Sequence, residues 1–364
     1  PRARSNATLI AMSKMIQEIR EQPAVLERTL TGALRSAEKL RRRIDKKRPR
    51  LIVLAARGTS DNAAMFGRYL LELTTGIPVS LAAPSIFTVY GARVDLADAM
   101  VVAVSQSGES TDTNMVLERA KALGALTVGV TNNASSTLAR IPEHRFLVRA
   151  GQEKSVAATK TYTGQVMSLY LLAYALGARI ELDDLRRVPE WAGAALQLEP
   201  EVAERAGRYR FMRHAVVVGR GLNYANAFEF ALKLMETCYV VAERFSTADF
   251  MHGPIAMVEP SFPVFLFAPA GPTWSSVRSM AEKLGELQAE TLVITDQSSP
   301  GVARSGPRNI CVPARLAGRG AAPEDLYTPI PYIIPAQLLA AYLAAEKHLD
   351  PDRPRTLSKV TQTL

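Results

Sequence analysis

Three groups of residues in this chain have the types and spacing that chemistry needs. Residues 101–113, VVAVSQSGESTDT, run from branched apolar residues straight into Ser105, Ser107, Gly108, Ser110 and Thr111. A buried strand ending in hydroxyls and a glycine, just before a helix, makes an anion seat. The helix N-terminus offers unpaired backbone N–H groups, and short side chains add donors without blocking access. The same residues also suit plain N-caps. Secondly, Glu229, Lys233 and Glu236 fall at i, i+4 and i+7 and share one helical face. On an exposed helix they would be an ordinary ion pair. Ala231, Leu232, Leu234 and Met235 predict instead a mostly buried helix, where carboxylates acquire shifted pKa values and move protons. Thirdly, His252 precedes Gly253-Pro254, a rigid turn able to present an imidazole to a cleft. Lys359 lies in the polar, proline-rich segment DPDRPRTLSKVTQTL, which has Leu357, Val360 and Leu364 to dock it.

The elements that must position these groups follow from periodicity. Leu9, Met12, Ile16 and Ile19 are spaced as one helix, and Pro23 opens a second that runs to about Ile44. Strands are predicted near 51–56, 77–82, 100–105 and 126–131, with helices over 61–74 and 111–123. Short apolar strands alternating with helices imply a parallel sheet covered on both faces. A long helix is expected from about Val156 to Gly177, and connecting helices over Asp183–Arg208.

The pattern then repeats. Arg57-Gly58 is matched by Arg220-Gly221 at an offset of 163, and Gly108 by Gly271 at the same offset. LGALTVGVTN from Leu123 aligns with LQAETLVITD from Leu287 at an offset of 164. These landmarks predict two copies of one doubly wound α/β unit. The copies differ where chemistry would sit. Thr59, Ser60, Ser105 and Ser107 in the first half become Leu222, Asn223, Ala268 and Ala270 in the second. Hydroxyls that only capped helices should appear in both copies, so the first half alone is expected to seat an anion.

Composition excludes several classes. With 22% charged and 48% hydrophobic residues over 364, the chain reads as an ordinary globular protein. Cys238 and Cys311 form no CxxC, and the four histidines are scattered, so neither a disulfide framework nor a metal is expected, and the compartment is read as cytoplasmic. No secretory signal is seen, Val166–Leu176 is too short to span a bilayer, and Tyr327–Ala345 carries Pro329, Pro331 and Pro335, so no membrane partner is expected. Nine Lys/Arg between Arg35 and Arg50 face only Glu38 and Asp45. Because Leu26, Leu30, Ala37, Leu40 and Ile44 step along one face there, the basic residues are read as its solvated side rather than as a nucleic-acid patch. The net charge of +9 suits an acidic small substrate. No GxxxxGK[ST] is present, and Tyr224 stands where the third glycine of a dinucleotide fingerprint would follow Gly219 and Gly221, so no cofactor is expected.

Seven motifs in order carry a resemblance. ARGTS (56–60), VAVSQSGESTDT (102–113), TNNASSTLA (131–139), GQEKSVAATKTYTGQ (151–165), GRGLNYANAFEFALKLME (219–236), FMHGPIAM (250–257) and PRTLSKV (354–360) resemble the double sugar-isomerase (SIS) domain family. Its members include the isomerase half of glucosamine-6-phosphate synthase and the sugar-isomerase-type glucosamine-6-phosphate deaminases. The resemblance implies two tandem flavodoxin-like αβα units with N-terminal helices and a C-terminal loop over the site. The expected division is 1–48 for the helices, 49–196 and 197–348 for the two units, and 349–364 for a catalytic tail. By the same resemblance Thr59, Ser60, Ser105, Gln106, Ser107, Ser110 and Ala157 match phosphate and sugar contacts. Glu236 matches the acid/base that moves a proton between C1 and C2. Lys359 matches the tail lysine that closes over substrate, and Glu229 and Lys233 match supporting residues. His252 matches a ring-opening histidine supplied by the neighbouring subunit of a homodimer. Ala158 replaces a serine, and Met235 a lysine, of the synthase pattern.

The synthase draws ammonia from a glutaminase domain whose nucleophile is an N-terminal cysteine. This sequence begins PRARSNATL, with about 45 residues before its first strand. The expectation is therefore a deaminase that converts glucosamine 6-phosphate to fructose 6-phosphate and ammonia. Alternatives are action on another amino-sugar phosphate such as galactosamine 6-phosphate, ammonia-dependent synthesis, and a non-catalytic sugar-phosphate sensor.

Overall fold

The computed structural model describes residues 10, 12–299, 309–316 and 323–359. By compactness the chain divides into two units. One gathers Ala24–Glu153, Lys160–Arg186 and the described end of the chain from Ser358. The other gathers the described residues up to Pro23, Lys154–Thr159 and Arg187–Leu357.

The first unit is built on β1 (Leu51–Ala55), β2 (Val79–Leu81), β3 (Ala99–Ser105), β4 (Leu126–Thr131) and β5 (His144–Leu147). The sheet is wholly parallel in the order β2-β1-β3-β4-β5. All seven residues of β3 are buried, as expected of a central strand with helices on both faces. The helix Lys160–Ala175 is buried on nearly every side. In the helix Gln22–Ile44, the face of Leu26, Leu30, Ala37, Leu40 and Ile44 is buried, and most of its basic residues are exposed.

The chain order reverses between β1 and β3, which pair from Leu51↔Ala99 to Ala55↔Ala103. In open α/β sheets ligands enter at such a switch point, outside the carboxyl ends of the strands. The turns 56–60 and 106–110 occupy that place.

The second unit repeats the plan with β6 (His214–Val218), β7 (Val241–Phe245), β8 (Pro263–Phe267), β9 (Glu290–Asp296) and β10 (Ile310–Val312), all parallel. Its order, read from β7, is β7-β6-β8-β9-β10, the same as the first sheet's. The repeated glycines share a backbone conformation as well as a spacing. Gly58 and Gly221 have φ of 57° and 60°, and Gly108 and Gly271 have 71° and 104°. All four lie in the region that only glycine enters freely.

Some boundaries differ from expectation for clear reasons. Strand 77–82 shrinks to Val79–Leu81, because Gly76 ends the preceding helix in a left-handed cap and Pro78 has no N–H to offer the ladder. The helix expected from Val156 begins at Lys160. The N–H groups of Lys154 and Ser155 donate to the buried Glu18 carboxylate instead of to a helix. Edge strands β5 and β10 lacked an apolar run long enough to predict.

The carboxyl-terminal helix Pro329–Glu346 is almost entirely buried. After it, Asp352 accepts from the N–H groups of Lys14 (2.6 Å) and Met15 (2.8 Å), and Arg355 donates its N–H to the Tyr239 hydroxyl at 2.8 Å. These bonds hold the tail at Asp352 and Arg355. Val360 and Leu364, expected to help dock it, lie outside the described residues, as does Leu9. Among the described residues no helix is long and apolar enough to cross a membrane.

Candidate functional site

The turns expected to seat an anion are organised by hydroxyls that accept from the chain's own N–H groups. Ser105 Oγ accepts from Gly108 N at 3.1 Å, and Ser107 Oγ from Glu109 N at 3.2 Å. Ser60 Oγ accepts from Gln165 Nε2 at 2.9 Å. Each bond uses a lone pair and orients the hydroxyl, leaving its proton free to donate. Ser110 is the N-cap residue of the helix Thr111–Ala122, yet its hydroxyl pairs with Thr113 Oγ1 at 3.0 Å and caps no backbone N–H. Elsewhere Ser136 and Ser246 do cap their helices through the side chain. The helix Thr59–Thr75 starts after Gly58, also with no side-chain cap. Two helix N-termini at the switch point therefore keep their positive ends open. Arg57, which sequence reasoning did not single out, sits in the first turn and pairs with Asp112 of the second at 2.8 Å.

Beside these turns lies a cleft of about 500 Å³, lined among others by Gln106, Ser107, Glu109, Asn132, Gln152, Glu153 and Lys359. Three sequence-predicted residues, Gln106, Ser107 and Lys359, meet here. Asn132 clamps the far wall, donating to Gly151 O at 2.7 Å and accepting from Ala150 N at 2.8 Å. Lys359 Nζ lies 2.9 Å from Glu153 Oε2, and the Glu153 side chain has no exposure. Glu153 lies inside the 151–165 motif, but an isolated Glu in a loop carries no spacing signal that singles it out.

In the other unit the three helical charges meet as their spacing requires. Lys233 Nζ lies 2.6 Å from Glu236 Oε2 and 3.4 Å from Glu229 Oε1. Lys233 and Glu229 are fully buried, while the Glu236 side chain keeps 23% exposure. Burial opposes the charge on Lys233, but the carboxylates of Glu229 and Glu236 outweigh it and hold its pKa above the ordinary lysine range. One carboxylate of the trio reaches solvent, and its partner is a fixed cation. That is an arrangement able to give and take a proton.

Ala157 is buried in the irregular stretch before Lys160. His252 is exposed just after the short helix Thr247–Met251. The surrounding FMHGPIAM segment leaves Met251 and Met257 exposed as well.

The second sheet has a cleft at the corresponding place, lined by Ala270, Gly271, Pro272, Trp274, Ser298, Pro323 and Glu324. Asp325 is buried nearby, and burial raises its pKa to about 6. Both crevices carry carboxyls and an arginine, Glu109, Glu153 and Arg57 in the first and Glu324, Asp325 and Arg220 in the second, but Ala268 and Ala270 stand in the second where the first has Ser105 and Ser107.

The fold and these crevices belong to a protein built from tandem doubly wound units. The SIS domain family model matches residues 46–175 and 210–347, and the chain belongs to that family. It is 36% identical over 362 residues to a glutamine–fructose-6-phosphate aminotransferase (isomerizing) of Pseudomonas putida, covering 95% of this chain and 58% of that protein. A Methanothermobacter thermautotrophicus protein of the same name is 32% identical over 351 residues, with 56% of its length covered. The chain thus spans little more than half of these relatives. Among solved structures, the C-terminal domain of glucosamine-fructose-6-phosphate aminotransferase from Francisella tularensis superposes with a TM-score of 0.83 at 26% identity, covering 94% of this chain and 98% of that one. Tagatose-6-phosphate ketose/aldose isomerase from Escherichia coli shares the fold, with a TM-score of 0.79 at 22% identity over 92% of this chain and 93% of that one.

Proposed function

We propose that this chain is a phosphosugar aldose–ketose isomerase acting on a hexosamine 6-phosphate, and that it runs as a deaminase yielding fructose 6-phosphate and ammonia. The observation that carries the reading is the difference between the two crevices: one holds the oriented hydroxyls of Ser60, Ser105 and Ser107, and its twin has Asn223, Ala268 and Ala270 in their places. In this reading the phosphate is bound by the turns of Thr59, Ser60, Ser105, Gln106, Ser107 and Ser110. His252, donated by the second copy in a homodimer, assists ring opening. Glu236 takes the proton from C2 and returns it to C1, converting the aldose amine into a ketimine that water hydrolyses. Proton transfer next to the C1 carbonyl of the open-chain sugar needs a positioned base and charge stabilisation, which Glu236 and its lysine partner can supply.

The departures at Ala158 and Met235 weaken the match to the synthase pattern more than the match to the family. The 36% identity to aminotransferases supports a second reading, synthesis of the amino sugar from fructose 6-phosphate and ammonia. Purified protein incubated with glucosamine 6-phosphate, followed by assay of ammonia and fructose 6-phosphate, separates them. Replacing Glu236 by Gln should lower turnover by about 10²–10⁴-fold while leaving phosphosugar binding nearly intact. A Glu236→Gln enzyme with normal turnover removes Glu236 from the base role.

A further inference from the structure

We propose that Glu153 is the positioning residue for Lys359: it holds the tail amine at a fixed point in the cleft of the phosphate turns. The proposal rests on reading that cleft as the phosphosugar site. It begins from a carboxylate that burial alone does not explain. The Glu153 side chain has no exposure, and buried carboxylates persist only where they are paired and hydrogen-bonded. Glu153 is fixed first by its own neighbourhood. Its Oε1 accepts from the N–H of Thr161 at 3.1 Å, and its Oε2 from Thr161 Oγ1 at 2.7 Å. Thr161 is in the first turn of the helix Lys160–Ala175, so its N–H is one of the donors that a helix cannot satisfy internally. The carboxylate is therefore locked onto a helix end whose dipole favours negative charge.

Glu153 Oε2 then faces Lys359 Nζ at 2.9 Å, a residue 206 positions away in sequence. A lysine at the end of a polar tail has a long flexible stem and would otherwise sample many positions. The pairing selects one of them, in a cleft shared with Gln106 and Ser107. The amine that meets the sugar is thus aimed by a carboxylate, which is itself aimed by a helix.

A positioning role and a general structural role give different double-mutant behaviour. If Glu153 acts through Lys359, Glu153→Gln and Lys359→Met each lower kcat by at least about tenfold, and the double variant is no worse than Lys359→Met alone. Independent losses that multiply overturn the proposal. A second readout needs no turnover. Trypsin must take the Lys359 side chain into its own pocket, so the ion pair should slow cleavage after Lys359. Peptide mass spectrometry is expected to show Glu153→Gln cut there at least about tenfold faster than the parent, with cleavage after Arg355 unchanged. Equal cleavage of the two proteins at Lys359 overturns the proposal. Should Glu153→Gln fail to fold, Glu153→Asp keeps the charge one methylene short and carries the same test. A parent protein inert toward every hexose 6-phosphate overturns the functional reading instead, and the cleavage result still decides the pairing.

Discussion

Lys233 shows how a charge can be kept deep in a protein when its neighbours are chosen for it. Desolvation works against the ammonium, yet two carboxylates within 3.4 Å reverse the balance. Asp325 is the opposite case, a buried carboxyl with no cation among the described residues to offset the loss of water. Its pKa rises from 3.8 to about 6, chiefly by burial. The folded chain therefore keeps this proton to higher pH than the unfolded chain does. Stability falls as pH climbs from about 4 to about 6, and above that window the buried charge costs about 3 kcal/mol. Asp325→Asn is expected to be more stable than the parent by up to that amount at pH 8 and about equal to it at pH 4, as read from urea denaturation at both values. The helical trio was legible because a period of 3.6 residues puts i, i+4 and i+7 together. Glu153 and Arg57 were not, since loop residues are brought to a site by tertiary folding and leave no periodic trace.

Strand–turn–helix elements make the proposed anion seat, and their glycines set the turns. Gly58 and Gly108 both have positive φ, but they differ in room. A Cβ at Gly58 would meet nothing within 4 Å, whereas one at Gly108 would lie 2.1 Å from Ser136 Oγ and 2.8 Å from Thr131 Oγ1. Gly58→Ala should cost only the penalty of its positive-φ backbone (φ 57°, ψ −133°), about 1–3 kcal/mol. Gly108→Ala adds overpacking of about 1–3 kcal/mol more and displaces the Ser105 and Ser107 hydroxyls. Thermal denaturation should rank the two variants in that order, and the Gly108 variant should show the larger rise in KM for phosphosugar. Central strands were readable to within a residue or two, because buried parallel strands are continuous apolar runs. The irregular stretch 150–159 was misread as helix at its end because Val156, Ala157 and Ala158 carry helical composition. The buried Glu18 that satisfies its backbone lies more than a hundred residues away.

At the scale of the whole molecule, duplication followed by divergence organises everything else. The same strand order and the same positive-φ glycines occur twice, so both halves inherited a switch-point crevice. One crevice kept the hydroxyls, and the other gathered Ala270, Pro272, Glu324 and Asp325. This asymmetry is visible in the sequence as hydroxyls lost at a fixed offset. A crystal soaked with glucosamine 6-phosphate is the most direct measurement of that asymmetry. The phosphorus is expected within hydrogen-bonding reach of the Ser105–Ser110 turn, in contact with Ser107. Phosphate density seated instead beside Ala270 and Gly271 would contradict the account.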